Sequence, residues 1–397
     1  MSELNLVLIG KHIHSANWKE NQLDIPLFER LADSSHRLLI ISQGRVKERT
    51  VVRVRNIELV LIPVRSFLDY HLYVYSVIKE LLQREDRSDW NVLGVSEPIA
   101  GGLAAVFLSW WCNIPYMAMV QGDLLSLPSS HFSKLKRFIL KRITIFVTTR
   151  AQVVRAVSKK IHDDLVVAGI KKEKIYILRN RVDLKRFNSA SLESQRVRIR
   201  KDLGWDKYQV LVFAGALTVE KGFLDFVNAC ETLLSEFNDL RVLIIGDGEL
   251  RRPGEQRLTP FLNRIYFSGF VSHHKINEWM AAGDLYVFCS HHEGMPRVVL
   301  EYMAMGKPVI STPVGGICEV IDDGVNGLIT ETAAPDLLVE NIKKILDGDF
   351  NGSLLGAKAR KTVEDNHDLE STISEQVAIY KRLSSGESVL KSGEHHL

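Results

Sequence analysis

The sequence has little of what would set it apart from ordinary globular proteins. Glycine (26) and proline (11) are near background in 397 residues, so no collagen-like or low-complexity class applies. The net charge is only +3, and nucleic acid is therefore not an expected partner. Hydrophobic residues make up 46% and charged residues 25%, which excludes global disorder. At about 150 residues per domain, the length predicts two or three domains.

Cysteine is also scarce. The four cysteines are Cys112, Cys230, Cys289 and Cys318, and none forms a Cys-x-x-Cys pair, which argues against a zinc ribbon or a thioredoxin motif. Scattered in this way, they are typical of buried apolar thiols in a reducing compartment. The N-terminus lacks a basic segment and a small-residue cleavage site, so we expect no signal peptide and a cytoplasmic location, peripheral to a membrane at most.

A long uninterrupted apolar run is missing as well. Residues 98–122 carry no charge, but Asn113 and Pro115 interrupt them, whereas a membrane span needs roughly 20 apolar residues. Asn-x-Pro is typical of a turn. The segment therefore predicts a buried helix over about Ala100–Trp111, followed by a buried strand over Ile114–Val120.

What the chain does contain is a regular alternation of short apolar runs with segments of helical period. Such runs are typical of parallel strands whose two faces are covered by helices, so the sequence predicts an α/β fold. The predicted strands of the first half are Leu4–Ile9, Arg37–Ser42, Val51–Pro63, Asn91–Ser96, Ile114–Gln121 and Ile175–Leu178. Those of the second half are Val210–Gly215, Leu240–Ile245, Ile265–Gly269, Asp284–Cys289, Pro308–Ser311 and Gly327–Thr330.

Two sets of about six strands predict two Rossmann-like, doubly wound domains. We place one domain at 1–182 and a second at 183–365. A helix over 366–383 is expected to pack back toward the first domain, and a disordered tail is expected over 384–397.

The densest candidate site follows the strand that ends at Cys289. A polar loop leads into a helix that begins near Pro296, and Gly306 stands where a left-handed C-cap belongs. Ligands of open α/β sheets bind beyond the C-terminal ends of the strands. Free N–H groups at a helix start bind anions such as phosphate.

Two carboxylates flank this anion site. Glu293 lies on the loop, and Glu301 lies along the helix. The pair suits a ligand with hydroxyls on both sides of a phosphate, such as a nucleotide sugar. The alternative interpretation makes Glu293 a helix cap and Glu301 a solvated helix position.

Two further loops follow strands of the second half. Lys221, in Glu220–Lys221–Gly222, could neutralise a diphosphate, although when it is judged alone a surface lysine is the favoured interpretation. Gly246–Asp247–Gly248 does not continue into a dinucleotide fingerprint, because Arg251 occupies its sixth position. This counts against a nicotinamide oxidoreductase.

These residues together resemble the retaining glycosyltransferases of family 4 (glycosyl transferases group 1), which have the GT-B fold. The specific match is the spacing of Glu293 and Glu301 within EGMPRVVLEYMAMGKPVI. Supporting matches are Glu220–Lys221–Gly222, Gly246–Asp247–Gly248, Phe267–Val271, Gly315–Ile329 and Asn180–Phe187. The resemblance covers most of residues 178–330. It implies two Rossmann-like domains that face each other across a cleft near Asp183.

The resemblance also implies roles for individual residues. Glu293 would contact the donor sugar, Glu301 the ribose hydroxyls, and Lys221 the diphosphate. The other donor-binding positions that it implies are Gly215, Gly269, Phe270, Val271, Gly294, Met295, Pro296 and Arg297. Relatives often carry Arg where this chain has Ala216, so either one diphosphate cation is missing or another residue, such as Arg252 or Arg297, supplies it.

The N-terminal half offers weaker signals, as expected of a domain that binds variable acceptors. Its candidate acceptor contacts are His12, His14, Glu97 and Gln121, each of which is read as structural when judged alone. Nine Lys or Arg and no acid lie between His131 and Lys160. Within that block, 132–142 predicts a basic amphipathic helix that lies on an anionic membrane, or else the solvated face of a Rossmann helix.

The implied function is transfer of a hexose or related sugar from a nucleotide sugar to a hydroxyl acceptor with retention of configuration. A UDP-sugar is the favoured donor, with GDP- and ADP-sugars as alternatives. The acceptor would be a glycan or lipid-linked saccharide in cell-surface polysaccharide or glycolipid synthesis. No cofactor and no bound metal are expected, since His273–His274 and His291–His292 are adjacent pairs whose side chains diverge. The alternatives are a sugar-nucleotide epimerase on the same scaffold and a catalytically inactive binding module.

Overall fold

The computed structural model describes residues 3–18, 25–63, 70–121 and 133–387, and their side chains except at positions 11–13 and 70. The chain divides into two compact units. Unit 1 comprises Met1–Leu178 and Glu370–Leu397, and unit 2 comprises Arg179–Leu369. The sequence placed the first boundary at residue 182, and the structure places it after Leu178.

Unit 1 is built on an eight-stranded sheet with the order β3-β4-β2-β1-β5-β6-β7-β8. All neighbouring strands are parallel except the pair β3 and β4. The strands are β1 (Asn5–His14), β2 (Arg37–Gly44), β3 (Thr50–Val54), β4 (Ile57–Pro63), β5 (Val92–Val95), β6 (Tyr116–Val120), β7 (Val153–Ala156) and β8 (Ile175–Ile177).

Two sequence predictions for this sheet are wrong. The single strand expected at Val51–Pro63 is an antiparallel hairpin, because the chain turns at Arg55, which has a φ of 54°, and Asn56. The short strand β7 was not predicted at all. It lies inside the basic block and contains a cation itself, Arg155, which breaks the apolar run, yet the sheet buries all four of its residues. The sheet therefore has eight strands rather than about six.

The helices of unit 1 flank this sheet. They are α1 (Ile25–Ser34), α2 (Tyr70–Leu82), α3 (Ala100–Cys112), α4 (Lys134–Arg150), α5 (Lys159–Val167) and the C-terminal α13 (Leu369–Ser385). The predicted succession of a helix, a turn at Asn113 and a buried strand is confirmed by α3 and β6, with Asn113 left-handed between them. No helix among the described residues is long and apolar enough to span a membrane.

Helix α13 returns to unit 1 after the chain has completed unit 2. The Tyr176 hydroxyl and the Glu375 carboxylate are hydrogen-bonded, and the space beside Gly94 is filled by the Tyr380 hydroxyl. The helix extends through Ser385, so residues 384 and 385 are helical where a disordered tail was expected. Positions 388–397 lie outside the described residues.

Unit 2 is built on a six-stranded parallel sheet with the order β11-β10-β9-β12-β13-β14. Its strands are β9 (Gln209–Ala214), β10 (Leu240–Ile245), β11 (Ile265–Phe267), β12 (Leu285–Phe288), β13 (Val309–Ser311) and β14 (Leu328–Ile329), in agreement with the sequence prediction. Its helices are α6 (Glu193–Leu203), α7 (Phe223–Glu236), α8 (Arg251–Arg257), α9 (His273–Ala281), α10 (Arg297–Ala304), α11 (Pro335–Leu346) and α12 (Gly352–Asn366).

The core of unit 2 explains why these apolar runs form strands. Both faces of β9 and β12 are buried, and Phe213 contacts Phe223 and Phe226 of α7. On the other side, Tyr286 of β12 stacks on Tyr302 of α10 at 4.2 Å between ring centroids. Aromatic packing on both faces thus fixes α7 and α10, the two helices that begin at the candidate site.

The cysteines follow the prediction only in part. Cys230 and Cys289 are buried, and burial raises the pKa of both thiols. Cys112 is half-buried and Cys318 is exposed, so the expectation that all four are buried is wrong for these two.

Candidate active site

The candidate site of unit 2 lies where the strand order reverses. Strands β10 and β11 lie on one side of β9, and β12, β13 and β14 lie on the other. Loops leaving the C-terminal ends of β9 and β12 therefore diverge and leave a crevice, which is where open parallel sheets bind ligands. The β9 loop carries Lys221, and the β12 loop carries Glu293.

Lys221 and Glu293 form an ion pair between their Nζ and Oε1 atoms. Both side chains are partly buried, so Lys221 is not a simple surface lysine. The pair joins the two loops. It also brings together the two residues that the sequence assigned to the diphosphate and to the sugar.

Further bonds hold the same two loops together. The amide of His291 and the hydroxyl of Ser290 both donate to the carbonyl oxygen of Glu220, at 2.8 and 3.0 Å. The Cys289 thiol donates to the carbonyl oxygen of Gly222 at 3.2 Å. The His291 imidazole donates through Nε2 to Asp225 Oδ2 at 2.6 Å. The loops are thus a single bonded structure rather than two independent turns.

Two glycines allow this close approach. Gly222 has a φ of +66°, and a Cβ at that position would lie 1.9 Å from the carbonyl oxygen of Cys289. Gly315, in the loop after β13, has a φ of +58°, and its Cβ would lie 2.0 Å from the carbonyl oxygen of Gly294. Any side chain at either position would separate the loops that form the site.

The start of α10 presents backbone donors beside this pair. The helix begins at Arg297, with Pro296 as its N-cap and no side-chain cap in the described part of the chain. Glu293 bonds Lys221 instead, so the interpretation of Glu293 as a helix cap is wrong. Met295 and Pro296 are buried and Arg297 is exposed. An anion would therefore meet the backbone of this turn and the Arg297 side chain.

Glu301 is not a solvated helix position, because only 5% of it is exposed. Its Oε1 accepts from His273 Nε2 at 3.3 Å. The Nδ1 atom of the same imidazole accepts from the guanidinium of Arg186 at 2.9 Å, and Arg186 also donates to the His273 carbonyl oxygen. A chain of donors thus runs from Arg186 through His273 and orients the Glu301 carboxylate.

The predicted base-binding segment lies at the ends of β10 and β11. Gly246 donates to the carbonyl oxygen of Gly269 at 3.1 Å, and a Cβ on Gly246 would lie 1.9 Å from the carbonyl oxygen of Gly215. Phe270 is exposed beside this junction. Arg251 pairs with Asp247 and Glu255, so this cation is already engaged.

Sequence reasoning missed three contributors to the site. His273 and His291 were considered only as metal ligands, and Arg186 was not considered at all. Their signal was present, because each lies near a motif residue, but only the fold brings Arg186 to His273 and His291 to Asp225. No group of three or more His, Cys, Asp or Glu side chains that could hold a metal occurs within the described ranges.

The segment that opens unit 2 also reaches the site. Asn180 donates through Nδ2 to the carbonyl oxygen of Met295 at 2.9 Å. The Asn180 carbonyl oxygen accepts from His367 Nδ1 at 2.6 Å, and the Val182 amide donates to the His367 carbonyl oxygen at 2.9 Å. Burial of His367 lowers its pKa to about 4, so the imidazole is neutral at pH 7.

The acceptor candidates of unit 1 lie at the corresponding reversal of strand order, between β1 and β5. His14 is buried and its Nδ1 lies 2.8 Å from the Ser42 hydroxyl. Glu97 accepts from the amides of Ile99 and Ala100 at 2.7 and 3.1 Å, at the start of α3. Gln121 donates to the carbonyl oxygen of Ser96 at 3.3 Å. His12 lies in β1, and its side chain is outside the described part.

Comparison with known protein families gives two matches. A model described as Glycosyltransferase Family 4 matches residues 27–186, and one described as Glycosyl transferases group 1 matches residues 208–348. The first match lies mainly in unit 1, and the second lies entirely in unit 2.

Characterised and inferred glycosyltransferases are among the similar sequences. The putative teichuronic acid biosynthesis glycosyltransferase TuaC of Bacillus subtilis is 30% identical over 263 residues, which are 66% of this chain and 62% of TuaC. The alpha-D-kanosaminyltransferase of Streptomyces kanamyceticus is 25% identical over 199 residues, which are 50% of this chain and 52% of the relative. The matched part thus spans between about half and two-thirds of these two relatives.

Solved structures with the same fold cover nearly the whole chain. An Anabaena HepE structure with bound UDP has a TM-score of 0.75 at 19% identity and covers 96% of this chain and 100% of its own. Sucrose-phosphate synthase of Thermosynechococcus elongatus has a TM-score of 0.78 at 16% identity, with the same coverage. The chain therefore has the GT-B fold, and segments in both units match glycosyltransferase family models.

Proposed function

We propose that this protein transfers a sugar from a nucleotide sugar to a hydroxyl acceptor, with retention of configuration at the anomeric carbon. The observation that carries the proposal is the Lys221–Glu293 pair, held beside the uncapped start of α10, with the buried carboxylate of Glu301 on the same helix. A binding module would not need two positioned carboxylates and a cation around one anion site.

In this proposal, donor binding breaks the ion pair between Lys221 and Glu293 and gives each residue a new partner. The diphosphate takes Lys221 Nζ and the backbone donors near Arg297, because a doubly charged group attracts the ammonium more strongly than one carboxylate does. Glu293 is thereby released to accept hydrogen bonds from the sugar hydroxyls. Glu301, oriented by His273, accepts from the ribose hydroxyls, and the base lies near Gly269, Phe270 and Val271.

The chemical step then needs charge stabilisation more than a protein nucleophile. As the bond between the anomeric carbon and the diphosphate oxygen breaks, negative charge grows on the diphosphate, where Lys221 and the helix start stabilise it. The departing diphosphate accepts the proton of the acceptor hydroxyl as the new glycosidic bond forms. Glu293 holds the sugar in the geometry for attack.

UDP is the nucleotide that we propose for the donor. HepE structures contain UDP, UDP with glucose, or UDP-glucose, and they share the fold of this chain. For the acceptor we propose a glycan or a lipid-linked saccharide in polysaccharide or glycolipid synthesis. An anionic membrane contact through 132–142 would fit the second kind of acceptor, although Phe132 lies outside the described residues.

A thermal-shift panel of UDP-, GDP- and ADP-sugars tests the donor. A ligand at 100 times its dissociation constant should add about 2.7 kcal/mol to the free energy of unfolding. We expect stabilisation by UDP-sugars that Lys221→Ala reduces, whereas Lys207→Ala, at an exposed lysine of the same unit, keeps it. A panel without any stabilising nucleotide sugar would contradict the proposal.

Product stereochemistry by NMR, with a labelled donor, tests the reaction. The expected product carries the sugar on an acceptor hydroxyl with the anomeric configuration of the donor. An inverted product would reject retention. A free epimerised nucleotide sugar without transfer would favour the epimerase instead.

A further inference from the structure

Helix α4 exposes large apolar side chains that a helix packed only on its own sheet would bury. Its buried positions are Thr144, Val147 and Thr148. Four large apolar side chains lie on the opposite side and are exposed: Leu135 (69%), Phe138 (57%), Ile139 (46%) and Phe146 (40%). Their spacing of three, four and seven residues places them on one stripe along the helix.

The helix carries six cations and no acid. The cations are Lys134, Lys136, Arg137, Lys141, Arg142 and Arg150. Two guanidinium groups lie over rings of the stripe, Arg142 at 5.2 Å from the centroid of Phe138 and Arg150 at 3.8 Å from that of Phe146. The outer side of α4 is thus both apolar and strongly positive.

The end of α3 extends this surface with tryptophans. Trp110 is 74% exposed and Trp111 is 62% exposed, and Phe107 stacks on Trp111 at 5.9 Å between centroids. A groove of about 530 Å³ lies between the helices and is lined by Phe107, Trp110, Phe146 and Arg150, among others. We call this continuous surface, formed by Phe107, Trp110, Trp111 and the stripe and cations of α4, the α3–α4 face.

We propose that the α3–α4 face docks on an anionic lipid bilayer, with Trp110 and Trp111 inserted at the headgroup level. Tryptophan favours the membrane–water interface, apolar side chains favour the acyl region, and Lys and Arg bind anionic headgroups. A second copy of the chain fits less well, because a symmetric contact would place the six cations of one α4 against those of another. This adds a hydrophobic component to the charge contact inferred for 132–142.

The position of α4 would bring a docked bilayer close to the acceptor candidates of unit 1. Strands β6 and β7 are parallel, so α4, which connects them, begins at the sheet edge where β6 ends. Gln121 follows β6 at that edge, and Glu97 follows its neighbour β5. A bilayer along α4 would therefore approach the acceptor candidates of unit 1. This use rests on the proposed function, whereas the docking itself does not.

The test is co-sedimentation of the full chain with vesicles of phosphatidylcholine alone or with added phosphatidylglycerol. The tryptophan emission spectrum is recorded in the same samples. One variant carries Trp110→Ser and Trp111→Ser, and a second carries Lys134→Glu, Lys141→Glu and Arg142→Glu. Leu354→Ser, at an exposed apolar residue of unit 2, is the control.

We expect the parent and the control to bind anionic vesicles with a blue shift of tryptophan emission, and both α3–α4 variants to lose most of that binding. The serine variant keeps all cations, so its loss isolates the tryptophans from charge. Equal sedimentation of the serine variant and the parent would overturn the insertion of Trp110 and Trp111. Absence of binding by the parent, or a parent dimer that the serine variant converts to a monomer, would overturn the docking. Thermal stabilisation by nucleotide sugar, measured on the same variants, reports separately on the proposed function.

Discussion

The two units carry their polar side chains at the same place in the sheet and use them differently. In unit 2, side chains of opposite charge or complementary hydrogen bonding from separate segments bond one another, as Lys221 does with Glu293 and Asp225 with His291. In unit 1, Glu97 and Gln121 bond backbone groups, and His14 lies against the Ser42 hydroxyl of the adjacent strand.

The proposed function accounts for this difference by what each site would bind. A diphosphate and a ribose are the same in every nucleotide sugar, so the residues that hold them must recur with fixed spacing and fixed contacts. Acceptors vary, and a site for them needs only a stable sheet edge on which different side chains can be placed. The polar residues of unit 1 described here build that edge.

The largest loss of activity is expected at Lys221, and its absence would contradict this comparison between the two units. Lys221→Ala would remove the cation proposed to stabilise the departing diphosphate, so kcat should fall by roughly 10²–10³-fold, or about 2.7–4 kcal/mol, with a smaller change in KM. Steady-state kinetics with the best donor of the thermal-shift panel measures it, and Lys207→Ala serves as the matched control.

Glu293→Ala is a second test of the donor site proposed in unit 2. It should reduce kcat and raise the donor KM together, because a misplaced sugar loses its geometry for attack. Since Lys221 and Glu293 are paired, the double variant should lose less than the sum of the two single losses. A Glu293→Ala enzyme with unchanged kcat/KM would show that the donor site is elsewhere.

How far the sequence predicts the molecule also differs between the units. All six strands of unit 2 were predicted, because each is a short parallel strand followed by a recognisable loop. In unit 1, β7 was hidden by its basic surroundings, and the β3–β4 hairpin was read as one strand because its turn at Arg55 and Asn56 contains neither glycine nor proline. Contacts such as Arg186–His273–Glu301 could not be predicted, since the three residues come from different segments and only the fold brings them together.

A further prediction concerns the pH dependence of stability at the segment that opens unit 2. Burial lowers the pKa of His367 to about 4, although the bond to the Asn180 carbonyl oxygen opposes this. An unfolded chain binds a proton near pH 6.5, so between these values the unfolded state holds more protons and stability falls as the pH falls. Lowering the pH from 7.5 to 5 should cost about 2 kcal/mol through this one group.

Denaturant unfolding at both pH values measures that loss. In His367→Gln, whose amide can still donate to Asn180, the pH dependence should shrink by about this amount. His36→Gln, at an exposed histidine of unit 1, should retain the dependence of the parent. If His367→Gln and the parent lost equal stability on acidification, the buried neutral imidazole would not be what links this segment to pH.

A smaller effect, on the donor KM, should distinguish Glu301 as a binding residue from His273 as the residue that positions it. Glu301→Ala should mainly raise the donor KM, because it removes the acceptor of the ribose hydroxyls. His273→Ala should raise KM by about tenfold with little change in kcat, since an oriented carboxylate becomes a mobile one. In the Glu301→Ala background, His273→Ala should add nothing. An additional loss in that background would mean that His273 acts on the donor directly or supports the fold.

The smallest expected effect is that of metal removal, and it tests whether unit 2 supplies all the positive charge that the reaction needs. In the proposed mechanism, Lys221, the backbone donors at the start of α10 and the exposed Arg297 stabilise the charge of the diphosphate. Transfer measured after treatment with EDTA should therefore match the untreated rate. A loss that Mg²⁺ or Mn²⁺ restores would show that these groups are insufficient. It would also reduce the role of Lys221, because a divalent cation at the diphosphate would repel the ammonium and leave it paired with Glu293. The kcat of Lys221→Ala would then change little, so the two measurements must agree.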